Sequence, residues 1–244
     1  MINIINKNKT YITLNGFTLA EVLITLGIIG IVAAMTLPSL IANYRSKVAV
    51  TQLKKMYSVM SQAMLFKIQQ EGDDSSLFEL QDADDQSIKN WYLTNLKPYI
   101  KVTNECFNKS GCWADTPTKF LNGNTATLNR RGVGVGNNIV VFNTVDGYAI
   151  NLDAYGNDQG RSFGVKISNT SYLVVLIDIN GKKLPNIIGK DIFAFVLSSR
   201  GFVPAGKDST DDQVGTNCSK NGNGYYCFEK IMRNGWEIDK ENLW

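Results

Sequence analysis

Residues 17–37 are apolar or small at nearly every position. At a rise of 1.5 Å per residue these 21 residues cover about 30 Å, the thickness of a bilayer's hydrocarbon core, so the pattern predicts a membrane-spanning helix. Beyond Pro38 the pattern becomes periodic. Val50, Leu53, Tyr57, Met60, Met64 and Ile68 recur at spacings of three and four, with Gln52, Lys54, Lys55, Ser58 and Gln62 between them. That is one face of an amphipathic helix, and its Met and Tyr positions are expected in a core. One helix over residues 17–70 would be about 80 Å long. Pro38 can kink it, having no N–H and crowding the preceding turn. Gly72-Asp73-Asp74-Ser75-Ser76 is the expected stop.

Residues 72–138 carry weaker patterns. Residues 91–96 fit a short helix stopped near Pro98, while residues 106–112 and 122–138 read as surface loop. Gly132, Gly134 and Gly136 form a Gly-x-Gly-x-Gly run with no strand–turn–helix frame, so they read as hairpin or loop glycines rather than a phosphate cradle. From Ile139 the chain turns β. Residues 139–145, an Asp146-Gly147 turn and residues 148–152 form a hairpin signal; residues 171–178 and 192–197 add a third and a fourth strand. Short links predict an antiparallel meander with one face buried against the second half of the long helix. The tail from Cys218 is expected to form a disulfide loop, followed by residues 231–236 covering a sheet edge. The expected fold is α+β: a long N-terminal helix packed on a roughly four-stranded antiparallel sheet.

Composition narrows the function. The 244 residues suffice for one sizeable domain or two small ones, and 44% hydrophobic with 19% charged residues is the balance of a folded chain. Net charge is +3, with Lys7 and Lys9 in the first 16 residues, which gives no strong nucleic-acid signal. The doublets Arg130-Arg131 and Lys182-Lys183 read as solvated surface. There is no His, which removes Ser-His-Asp and Cys-His catalysis, and an enzyme is not expected. Four Cys allow three pairings. The local ones, Cys106–Cys112 and Cys218–Cys227, are expected over a zinc site, because neither pair has metal-ligand spacing. Two such disulfides imply an oxidising compartment.

One loop, residues 178–191, gathers oxygen donors. Asp178, Asn180, Asp191 and nearby carbonyls suit calcium, making a structural Ca2+ a candidate cofactor. Against it, Lys182, Lys183 and Lys190 crowd the loop, and Asp, Asn and Gly are also ordinary turn residues.

Glu21 does not fit the apolar segment. A charge deep in lipid costs ~2.5–3.5 kcal/mol on the lenient insertion scale and marks function. A basic leader ending in Gly16, then Phe17-Thr18-Leu19, Glu21, about twenty apolar residues and Pro38 resemble the N-terminus of type IV pilins and type II secretion pseudopilins, over about the first 60 residues. The resemblance implies a leader of residues 1–16, cut by prepilin peptidase between Gly16 and Phe17 with N-methylation of Phe17. The processed chain keeps 228 of the 244 residues. It implies residues 17–37 as the transmembrane and assembly half of helix 1, residues 38–70 as its amphipathic half, and residues 71–244 as a globular head with sheet and disulfide loops. Glu21 would face the N-terminal amine of a neighbouring subunit, with Leu23, Ile24, Ile28, Ile31 and Val32 supplying apolar contact and Gly27 and Gly30 allowing close helix approach.

The implied function is a structural pilin or pseudopilin, its size leaning toward a minor subunit. Its partners would be homologous subunits in a homo- or hetero-filament, the peptidase/methylase, an inner-membrane assembly platform and membrane lipid. The implied location is the bacterial inner membrane with a periplasmic head, then a periplasmic pseudopilus or cell-surface pilus. Arg45, Lys47, Lys54 and Lys55 follow the span and weakly favour the opposite orientation; the paired cysteines outweigh them. The loop at 178–191 resembles a segment of larger pilin-like proteins: Asp-x-Asn-Gly, then Pro-Asn, then Gly-x-Asp. The alternative is a surface adhesin or ligand-binding module on a pilin stem, which exposed aromatics among Trp113, Tyr155, Tyr225 and Tyr226 would support.

Overall fold

The computed structural model describes residues 16–72, 83–156, 163–167, 171–198 and 201–238. The leader before Gly16, residues 73–76 of the expected helix stop and the last residues of the tail lie outside these. The chain divides into two units, Met1–Tyr44 and Arg45–Trp244. Helix α1, Leu19–Glu71, begins in the first and its remainder belongs to the second. It stays helical through Pro38 and ends before Gly72, whose φ is +85°.

In the first unit no apolar side chain of α1 has a buried place. Leu23, Ile24, Ile28, Ile31 and Val32 are 54–63% exposed. The hydroxyls among them satisfy themselves on the helix backbone: Thr25 donates to Val22 O and Thr36 to Val32 O, each at 3.0 Å.

In the second unit the spacing of three and four does its work. Leu53, Met56, Met60, Ala63 and Met64 of α1 are buried, and they pack on a sheet. The sheet has six antiparallel strands in the order β1-β4-β5-β6-β7-β8, against the four expected: β1 Val102–Phe107, β4 Ile139–Thr144, β5 Ala149–Gly156, β6 Ser171–Asp178, β7 Ile192–Ser198 and β8 Gly201–Pro204. The extra strands are the two edges. Cys106 therefore lies in β1 and not in a surface loop. A small hairpin, β2 Asn129–Arg130 with β3 Gly134–Val135, occupies the β1–β4 connection.

Both faces of the sheet are covered, where one was expected. Val140, Phe142, Ile150, Leu152, Val175, Ile177, Phe193 and Phe195 face α1. Ile139, Val141, Val174, Leu176, Ala194 and Val196 enter a second core with Trp113, Ala126, Val135, Phe163 and Val214. The uninterrupted apolar runs of β6 and β7 require this, since alternation puts every second residue on each face.

Two short helices complete the unit, together with α2 (Asp85–Trp91), which precedes β1 and runs on through a π-turn, Tyr92–Leu96. Helix α3, Asp211–Asn217, opens on a capping box between Thr210 and Gln213. Helix α4, Cys227–Arg233, does not cover an edge as expected. Its Phe228 is fully buried, with ring centroids 4.4 Å from Phe195 and 5.6 Å from Tyr57, so the tail closes the core between α1 and the sheet. Arg233 holds it there. The guanidinium donates to Glu229 at 2.8 Å, to Asp211 at 2.7 Å and to the carbonyls of Gly206, Lys207 and Ser209.

Candidate functional site

The start of α1 is the first candidate. Phe17 is 88% exposed and follows Gly16 directly. Thr18 caps the helix: its Oγ1 accepts from the Glu21 N–H at 3.2 Å, and the Glu21 carboxylate accepts from the Thr18 N–H and hydroxyl, each at 2.8 Å. This is a reciprocal capping box, which satisfies two of the helix's orphan donors and holds a negative charge at the positive end of the helix. Sequence reading took Glu21 as an anomaly in an apolar run and missed this local role. The signal was present, since Thr18-Leu19-Ala20-Glu21 is the Thr-x-x-Glu spacing. No Cβ added at Gly27 or Gly30 would meet anything within 4 Å, so both faces are open to close approach.

The four cysteines pair locally, Cys106 with Cys112 and Cys218 with Cys227, at Cα separations of 5.9 and 4.9 Å. Of the four aromatics that could have formed an exposed platform, Trp113 and Tyr226 are buried and Tyr155 and Tyr225 half-buried. Tyr155 stacks on Tyr172 and meets Phe163 edge-on, which also meets Tyr225, so these rings belong to the second core. An open cleft of about 1510 Å³ lies nearby, lined by polar groups including Lys166, Asp208, Asp212, Gln213 and Asn217.

The loop from β6 to β7 brings Asp178, Asn180 and Asp191 together, and adds Asn186, which sequence reading passed over. Asp178 and Asn186 are fully buried and Asp191 almost so. Asp191 is the node: its Oδ2 accepts from Asn180 Nδ2 at 3.0 Å and from the Asn186 N–H at 2.8 Å, and its Oδ1 from the Ile187 N–H at 2.7 Å. Asp178 Oδ1 accepts from the Asn180 N–H at 3.0 Å. Burial, and then the nearby Asp191 charge, raise the Asp178 pKa well above the usual carboxylate range; burial also raises that of Asp191. Asn186 has φ +54° after the cis bond Leu184–Pro185 and donates its amide to Thr116.

Two family models match the chain. The prokaryotic N-terminal methylation motif, the type IV pilin and pseudopilin signal, matches residues 15–37. A family of unknown function, DUF6613, matches residues 39–242. No curated protein and no solved structure matches. The motif and the apolar helix together indicate a membrane-anchored structural protein of pilin-like kind and a prepilin peptidase substrate.

Proposed function

The chain belongs to the family of unknown function DUF6613, and from the methylation motif that precedes that match we propose that it is a filament subunit of a type IV pilus or a type II secretion pseudopilus. Prepilin peptidase cuts between Gly16 and Phe17 and methylates the new amine. Residues 17–37 then hold the subunit in the inner membrane with its head in the periplasm, and afterwards pack in the filament core against homologous subunits. An assembly platform in the inner membrane moves it from one to the other.

A single observation carries this reading. The first half of α1 is apolar on every side and exposed on every side, yet opens on a carboxylate. Lipid satisfies the apolar surface, and a bundle of like helices satisfies it equally. In the bundle Glu21 needs a cation, and the methylated amine of the neighbouring Phe17 supplies one. Together they neutralise each other in a medium of low dielectric, where either alone is costly. Charge pairing thus sets the register between subunits, and apolar packing supplies most of the adhesion.

Intact mass and N-terminal sequence of the protein from cell envelopes test the reading. A chain starting at Phe17 with one added methyl is expected; a chain still starting at Met1 overturns it. Gly16→Glu should block cleavage. Glu21→Val should be processed normally yet give no filaments, and a wild-type filament yield from it would refute the assembly role.

The cleft beside α3 supports a second reading, a ligand-binding head carried on a pilin stem. Its lining of amides, carboxylates and one ammonium suits a polyhydroxylated ligand better than an apolar one. A glycan-binding screen of the full chain in detergent distinguishes the two readings: saturable binding abolished by Asp212→Ala favours this one, and an absence of binding removes it.

A further inference from the structure

The hairpin of β2 and β3 is held on β5 by two side chains of different kind. Asn151 and Asp153 stand two residues apart on that strand, so they share a face. The Asn151 amide pairs with the Val135 N–H and carbonyl and carries no charge at any pH. Asp153 lies under the turn from β3 to β4. Its carboxylate occupies the space that a Cβ at Gly136 would need, and the N–H groups of Asn137 and Asn138 approach it. We propose that residues 129–138 form a pH-sensitive flap over β5, seated while the Asp153 carboxyl is protonated and releasing that proton when it opens.

Nothing positive answers that carboxylate. No ion pair among the described residues reaches Asp153. Arg130, a cation on the hairpin itself, donates instead to Asn108 and to the Asn137 carbonyl. The register partners of Asp153 on the flanking strands, Ile139 and Val174, are apolar. The titratable groups that face it are the Tyr155 hydroxyl on its own strand and Tyr225 before α4, with Tyr172 of β6 stacked on Tyr155. Burial keeps Tyr155 and Tyr225 neutral, the second pushed up to about 12, so within this cluster Asp153 is the group that changes charge between about pH 5 and 9. A buried carboxylate surrounded by dipoles without a cation is costly, and the same burial lifts its pKa to about 7.

Lifting the hairpin is the least costly way to bring water to Asp153. The hairpin has two paired positions of its own, Asn129 with Val135 and Arg130 with Gly134, and an isolated two-stranded hairpin is marginal in water. Strand β5, by contrast, pairs with β4 on one side and β6 on the other. Raising residues 129–138 exposes Asp153 and leaves that ladder closed. The movement would reach the first disulfide loop, because the Gly111 N–H donates to Gly132 O and the Gly132 N–H to Ala114 O, each at 3.0 Å. One part of the head's surface would then follow the surrounding pH, while the sheet and α1 stay as they are.

Linkage sets the direction. Opened to water, Asp153 titrates near the ordinary ~3.9, and seated it titrates at about 7. Between those values each opening releases a proton. Opening therefore grows commoner as pH rises from about 4 to about 7 and levels off above that. From pH 5 to pH 8 the opening equilibrium should rise by up to about a hundredfold.

Hydrogen exchange of the full chain in detergent, read by mass spectrometry and divided by the unstructured rate at each pH, tests the flap. Peptides covering residues 129–138 should open up to about a hundredfold more at pH 8 than at pH 5, while those of β6 stay slower at both. Asp153→Asn should flatten that rise. Tyr155→Phe removes a hydroxyl that favours the ionised form, so it should carry the rise to higher pH before it levels off. Should the first variant fail to fold, the second still decides. Equal corrected rates in residues 129–138 at pH 5 and pH 8 overturn the proposal. Exchange there no faster than in β6, or a rise that neither variant alters, overturns it too. None of these outcomes depends on whether the chain enters a filament.

Discussion

Asp153 sits on β5 with only 4% of its surface exposed, and burial pushes its pKa up to about 7. The Tyr155 hydroxyl and the N–H groups of Asn137, Asn138 and Ala154 pull the other way without overcoming it. An unfolded Asp titrates near 3.9. Between about pH 4 and 7 the folded chain therefore keeps a proton that the unfolded chain has released, so stability falls as pH rises through that window and levels off above it. The full effect is on the order of 4 kcal/mol. Urea unfolding at pH 5 and pH 8 should show the wild-type midpoint falling further than that of Asp153→Asn. Asp178 and Asp191 titrate in the same direction, so the difference between the two proteins isolates Asp153; equal falls would refute it. The neighbouring glycines explain themselves at this scale too. Gly134 and Gly136 have φ of +147° and +129°, and a Cβ at either would overlap the Asn151 amide or the Asp153 carboxylate. Asn151 uses that closeness to pair with the Val135 N–H and carbonyl at 3.0 and 2.9 Å, so the Gly-x-Gly-x-Gly run is a seat for a hairpin.

Among the elements, α1 shows two regimes in one helix. Met60 is fully buried between the helix and the sheet, while Leu65 is 59% exposed. Met60→Ala should cost 2–5 kcal/mol, about what a buried large-to-small change costs, and Leu65→Ala within about 0.5 kcal/mol of nothing. Urea midpoints of the two variants check this, and equal effects would mean that the periodic face is not the packed one. That face could be read from spacing because a helix repeats every 3.6 residues, so positions three and four apart share one side. Strands β4, β6 and β7 were legible for a related reason, as Val, Ile, Leu and Phe dominate them, and β5 through the Asp146-Gly147 turn that joins it to β4. Strands β1 and β8 were not. Val102-Thr103-Asn104-Glu105-Cys106-Phe107 leaves its polar positions toward water, and Gly201-Phe202-Val203-Pro204 contains the two residues least suited to strands. Both are edges, where pairing on one side suffices and composition is released from the core's demands.

For the whole molecule, the disulfides serve opposite faces of the sheet: Cys106–Cys112 joins the outer core and Cys218–Cys227 the core on the α1 side. Each disulfide closes a short loop, six or nine residues apart in sequence, and the chain-entropy account gives about 2–3 kcal/mol apiece. Reduction of the full chain in detergent should lower the urea-unfolding free energy by roughly the sum, and an unchanged midpoint would mean that packing alone holds these loops.

The sequence by itself determined the span, the methylation motif, the amphipathic face and the apolar strands, because each is written in local periodicity or in residues a few positions apart. Only the tertiary structure decided that both faces of the sheet are buried, that α4 closes the core rather than an edge, and that Asn186 joins Asp178 and Asn180 around Asp191. Those depend on which segments meet across the fold, and no spacing along a chain encodes a partner that lies 70 residues away, as Thr116 does from Asn186.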